Sequence, residues 1–226
     1  EEMEAKLKKV FGDVKAPVNP AERIYYPVAD NQEPLIYIGT DKEVKNPSVN
    51  IFFKHEATPD SLKNTINYYA SQYMLSMAMT MLNNRLNELR QTANPPFTNA
   101  SAGYGEFFLA KTKEAFSLDA RSKVDGIDLA MKTVLEEAER ARRFGFTATE
   151  YERARANYMQ GVESAYNERE KMKNDTYVNE YISNFLDNEP MPGIEYEYAM
   201  MNQLAPNIPV AAINQVMQQL ITDNNQ

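Results

Sequence analysis

Apolar positions along this chain change their spacing several times, and each change predicts an element. Residues 3–11 put Met3, Leu7, Val10 and Phe11 on one helical face, and Gly12 with the loop KAPVNPAE ends it. Three stretches rich in aromatic and β-branched residues follow: RIYYPVAD (23–30), PLIYIGTD (34–41) and SVNIFFKHE (48–56). Each is bounded by Asn, Pro or Asp, and each predicts a strand. The period then becomes helical, with Leu62, Ile66, Tyr69, Tyr73, Met77, Leu82, Leu86 and Leu89 along one stripe. Thr58-Pro59-Asp60 offers a cap, a first-turn proline and an acid, so a long helix is predicted over 59–91. Pro95 and Pro96 cannot donate the next backbone hydrogen bonds and prevent its continuation.

Strand character returns at 97–110 and 114–120, with Lys-Thr-Lys as the hairpin tip and Gly103 and Gly105 marking a bulge or twist. After Ser122 a second apolar stripe runs through Ile127, Ala130, Met131, Val134, Leu135, Ala138 and Ala141, with EEAERARR facing water. Thr147 and Glu150 have the spacing of a capping box, and Phe146 and Tyr151 that of a hydrophobic staple, opening a helix that reaches Leu186. DNEPMPG interrupts it, and shorter helices over 193–204 and 209–221 complete the chain. Three strands, a helix, two strands and then helices predict an α+β two-layer sandwich: a mostly antiparallel sheet with long helices on one face.

Composition narrows the function. At 226 residues the chain can bury a sizeable core without crosslinks. It has no cysteine, which excludes disulfides and thiolate metal sites. A formal net charge of −8 argues against a nucleic-acid partner, since phosphate binding needs clustered Lys and Arg. No apolar run has the length of a membrane span. The opening residues are amphipathic and begin without methionine, so the chain reads as a domain cut from a longer protein.

Catalytic candidates are few. His55 is the sole histidine, and its neighbour Glu56 points to the opposite face of a strand, so the two cannot converge on one ion. The same shortage limits Ser-His or Cys-His chemistry, and a self-contained hydrolase would have to pair a carboxylate with His55. The acid-rich segments 135–143 and 163–180 mix signs at helical spacing, as solvated pairs such as Glu136 with Arg140 do. No glycine loop has phosphate-binding spacing.

Local signatures in chain order go further. EEMEAKLKKVFGDVKAP resembles the end of the first domain of insulinase/pitrilysin-family zinc metallopeptidases, SVNIFFKHE the first strand of the next domain, and MLNNRLNELRQTANPPFTNASAG that family's helix-to-strand corner. FTATEYERARANY matches the start of its last long helical region. The form ANPPF is similar to the long bacterial members, at their second, non-catalytic domain.

The resemblance implies the LuxS/processing-peptidase-like metallohydrolase fold. Residues 1–20 would be the last helix and linker of a preceding catalytic domain, and 21–226 the non-catalytic domain. His-x-x-Glu-His, which in the family holds zinc and supplies a base, is absent, so this fragment would carry no cofactor and zinc would belong to the parent. An arginine and a tyrosine seven residues later help hold substrate backbone in the family; Arg90 and Phe97 stand at those positions, without the phenolic hydroxyl. The pair is therefore a degenerate substrate-binding candidate whose bland alternative is Arg90 capping helix carbonyls and Phe97 filling the core. The implied partners are other domains of the same polypeptide and the parent's peptide substrates, in a periplasmic or envelope setting. The rival reading is a free-standing binding or scaffold module.

Overall fold

The computed structural model describes residues 2–226. Helix α1 (Glu2–Phe11) comes first; its apolar residues Met3, Leu7, Val10 and Phe11 are exposed and it buries nothing. Strand β1 (Ser48–Glu56) leads through the short α2 (Asp60–Lys63) into α3 (Ile66–Arg90). The hairpin β2 (Asn99–Phe107) and β3 (Ala110–Arg121) follows, then α4 (Ile127–Phe144), α5 (Ala148–Asn167), α6 (Asn174–Asp187), α7 (Ile194–Leu204) and α8 (Val210–Leu220).

The sheet is antiparallel with order β1-β3-β2. Its register aligns Val49, Ile51 and Phe53 with Ala120, Leu118 and Phe116, and these with Ala100, Ala102 and Tyr104. Side chains alternate across a strand, so these nine share one face, and all belong to or pack against the core. Asn50, Ser101, Ser117 and Asp119 occupy the other face. Helix α3 covers the apolar face with Tyr73, Met77, Ala78, Met81, Leu82 and Leu86, all buried. Helix α4 approaches closely because Ala130, Val134, Ala138 and Ala141 keep its inner stripe thin. Its partner α8 adds Ile213, Met217 and Leu220. The expected two-layer α+β arrangement is the one observed.

Several elements differ from those read in the pattern. Segments 23–30 and 34–41 form no strand, and Leu35, Ile36, Tyr37 and Ile38 are 75–92% exposed. The C-terminal tail takes the sheet edge they would need: Lys54 N–H donates to Asn225 O, Asn225 N–H to Asn31 O, and Leu35 N–H to Gln226 O. The hairpin turns at Phe108 and Leu109, not at Lys111–Lys113, because Lys113 lies opposite Glu56 in the sheet and is ion-paired with it. Phe108 takes the positive φ of 54° that so short a turn requires, and the register slip falls between Glu106 and Phe107.

The long helix expected over 59–91 breaks at Asn64. The working cap is Thr65, whose hydroxyl accepts from Tyr68 N–H, while Pro59 makes no side-chain cap. The capping box at Thr147 and Glu150 is present, with Phe146 and Tyr151 both buried, but α5 stops at Asn167 and a 3-10 turn over Arg169–Lys171 redirects the chain into α6.

Candidate functional site

The helix-to-strand corner places its two candidate residues in different environments. Arg90 ends α3 on the surface, and its guanidinium donates to Asn87 Oδ1 at 2.8 Å. The last carbonyls of α3 are met instead by the backbone N–H of Gln91, which reaches Glu88 O and Leu89 O. Phe97 is 2% exposed and belongs to the core. Past it, Thr98 N–H donates to Arg121 O and fixes the start of β2 against β3. Two prolines stop the helix, and a buried ring then brings the chain onto the sheet.

One turn before the corner lies a site the sequence reading missed. Arg85 meets Glu150 through two parallel bonds, Nε to Oε1 at 2.6 Å and Nη2 to Oε2 at 3.0 Å. Its Nη1 reaches Glu137 Oε1 at 3.3 Å, Nη2 also donates to Gly145 O at 3.0 Å, and the guanidinium lies 4.8 Å from the Phe146 ring centroid. One arginine thus ties α3 to α4, to the turn between α4 and α5, and to the cap of α5. The forked hydrogen bonds from Arg85 hold the Glu150 carboxyl well below the usual range, at about 2, against the opposing effect of burial, and Thr147 N–H and hydroxyl add to the effect of Arg85. A signal for Glu137 existed: it falls three residues after Val134 and four before Ala141, inside the apolar stripe of α4.

The turn beneath this arginine is equally constrained. Gly145 has φ 72° and ψ −169°, and a Cβ there would sit 2.5 Å from the Asn214 side chain. Asn214, on α8, accepts from Phe146 N–H at 2.8 Å and donates to Phe146 O at 3.2 Å. A second buried phenol, Tyr151, donates to Ile208 O at 2.8 Å and lies 3.0 Å from the Tyr73 hydroxyl.

Other polar clusters are satisfied in the same manner. His55 Nε2 lies 3.0 Å from Leu220 O, so the ring donates to a backbone carbonyl, while Glu56 pairs with Lys113 on the other side. Lys113 also meets Asp30 at 2.8 Å, and the buried Lys54 ammonium donates to Ala29 O at 2.7 Å. Between α2, the hairpin and the end of α6, a cavity of about 400 Å³ is lined by Lys63, Lys111 and Lys113 with Asp60, Glu106, Asp187 and Glu189, each cation already paired.

Zinc would need three or four neutral imidazole, thiolate or free carboxylate ligands. Here the single imidazole is engaged by Leu220 O, cysteine is absent, and no group of three potential ligands converges among the described residues. The donor set does not fit that metal, and the clusters above tie strands, helices and loops to one another.

A profile described as the peptidase M16 inactive domain matches residues 1–158. An Arabidopsis thaliana protein named "Zinc protease PQQL-like" is 26% identical over 216 residues, which is 96% of this chain and 19% of that protein. The crystal structure of the periplasmic protease PqqL from Escherichia coli superposes with a TM-score of 0.82 at 19% identity, covering 99% of this chain and 24% of that one. The first half of the same Escherichia coli protease, solved separately, gives a TM-score of 0.81 at 19% identity over 97% of this chain and 46% of that one. The chain therefore spans about a fifth to a quarter of the full-length proteins it matches.

Proposed function

The chain belongs to the peptidase M16 inactive-domain family, and from that premise we propose that it serves a longer zinc-dependent peptidase as its non-catalytic, substrate-enclosing domain. The observation that carries this reading is the profile match to the inactive form of the domain, in a chain whose donors do not fit zinc. Bare apolar surface supports it. Met3, Leu7, Val10 and Phe11 on α1, with Ile24, Tyr26 and Leu35–Ile38 beyond it, are all exposed, as segments are that pack on another domain.

Residues 1–20 would then close the preceding catalytic domain, and 21–226 would form half of an enclosure that limits which peptides reach the metal. In the parent, zinc would activate water for attack on a peptide carbonyl, with every ligand outside these residues. Phe97, buried in the core, acts in architecture, while Arg90 keeps an exposed position at a degenerate substrate-binding corner that lacks its phenolic partner. A periplasmic setting rests on the Escherichia coli neighbour's description alone. No helix among the described residues is long and apolar enough to cross a membrane.

Two measurements test the proposal. Elemental analysis of the purified chain should find zinc far below one per molecule. In the full-length gene product, deleting the segment equivalent to 21–226 should abolish cleavage of extended peptides while zinc stays bound. A tight one-to-one zinc site in the isolated chain, or unchanged cleavage after the deletion, overturns it.

A further inference from the structure

We propose that the outer edge of β1 receives one more strand, an extended apolar segment of the parent polypeptide that lies outside these 226 residues. Backbone geometry gives the first argument. In an antiparallel ladder, residues alternate between those bonded to the neighbouring strand and those whose N–H and C=O face away from it. Lys54 N–H faces away from β3 and donates to Asn225 O at 2.8 Å, so Phe52 and Asn50, two and four residues earlier, face the same way. Among the described residues neither has a backbone partner on that side. The tail shows that this edge takes extended backbone, and it covers only the Lys54 end.

The opposite edge of the sheet is closed. Asn83 of α3 accepts from Ala102 N–H at 2.9 Å and donates to Ala102 O at 2.8 Å, the pair of bonds that a neighbouring strand would make. A further strand is therefore directed to β1.

A groove of about 640 Å³, lined by the consecutive residues 49–54, accompanies the open edge. Met131 and Leu135 of α4 form one wall, and Leu35 and Ile36 with Phe107 of β2 form others. Asn31 lines it too, and its Oδ1 is buried without a donor, an acceptor that an incoming N–H would satisfy. Successive side chains of a strand laid here would point to opposite faces and meet apolar residues on both. A segment apolar on both faces belongs inside a folded polypeptide, which favours another part of the parent over a free peptide. The exposed Leu35–Ile38 surface continues from the rim of the groove. This rests on the chain being part of a longer polypeptide, as the functional reading does, but not on zinc or on cleavage.

The test is amide hydrogen exchange read at single residues, in the isolated chain and in the full-length gene product. In the isolated chain Asn50 and Phe52 should exchange fast while Ile51, bonded to β3, stays slow. In the full-length protein with no peptide added, both should slow by about a hundredfold or more. Asn50→Pro removes one outward N–H and leaves the bonds to β3 intact. It should speed exchange at Phe52 in the full-length protein by about tenfold or more and leave the isolated chain folded by circular dichroism. Slowing that appears only with added peptide would assign the edge to substrate, slowing in the concentrated isolated chain would assign it to a second copy, and no slowing would leave it open to water. Each of these overturns the proposal, whereas the peptidase reading fails on zinc content or cleavage, neither of which this measurement reads.

Discussion

Replacing Glu150 with glutamine separates the charge of the Arg85 cluster from its shape. Glutamine keeps a carbonyl that accepts from Thr147 N–H, so the cap of α5 survives, while the carboxylate facing Arg85 is neutralised. Both partners are mostly buried, with side-chain exposures of 17% and 18%, so solvent screens the pair only weakly. The fall of the Glu150 pKa from an ordinary 4.5 to about 2 corresponds to about 3 kcal/mol of folding stability. Because the folded value is the lower one, this stability is fully present above pH 4.5 and is lost as pH falls through about 2.

Urea unfolding followed by far-UV circular dichroism, at pH 7 and at steps down to pH 2.5, reads it directly. Glu150→Gln should be less stable than wild type by about 2–3 kcal/mol at pH 7, with the gap closing steadily below pH 4.5 because only wild type takes up the extra proton. A gap that stays constant between pH 7 and pH 3 would refute the assignment. The loss would then come from packing and not from the ion pair.

Two further outcomes follow from the same geometry. Gly145→Ala forces a Cβ into Asn214 at a φ that alanine avoids; it should cost about 2–4 kcal/mol and lower the thermal midpoint, whereas Gly105→Ala, which meets nothing within 4 Å, should cost far less. At the corner, Phe97→Ala should lose about 3–5 kcal/mol in chemical denaturation and Arg90→Ala should stay within about 0.5 kcal/mol, because one ring lies in the core and the other side chain bonds only Asn87.

Much of the fold was legible because local rules and burial agree. The capping box at Thr147, the stripes of α3 and α4, and the breaks at Pro95–Pro96 and Pro190–Gly193 are each determined within a few residues. The end of α5 was not, since Asn167–Lys173 holds no proline or glycine and the helix stops where the chain folds back toward α6. Nor was Arg85 legible as a site. Its partners lie 52 and 65 residues away, and a charged residue beside an apolar stripe looks the same whether it meets water or a buried carboxylate.

Segment 34–41 carries a different lesson. Alternating apolar residues are a statement about two faces, and a strand forms only where an edge with free N–H and C=O groups receives it. On β1 the Lys54 end of that edge is taken by Asn225, and Leu35 is hydrogen-bonded to the tail rather than to the sheet. The pattern therefore records a demand for burial without naming what meets it. Leu35, Ile36, Tyr37 and Ile38 leave a large apolar area in water, at a cost of roughly 25 cal/mol for every Å². Other exposed apolar residues cluster nearby, with Ile24, Tyr26, Phe108 and Leu109 lining one shared hollow. A strand pattern that the chain's own sheet does not accept, set beside a second bare apolar surface, supports the proposal that this face packs against another domain.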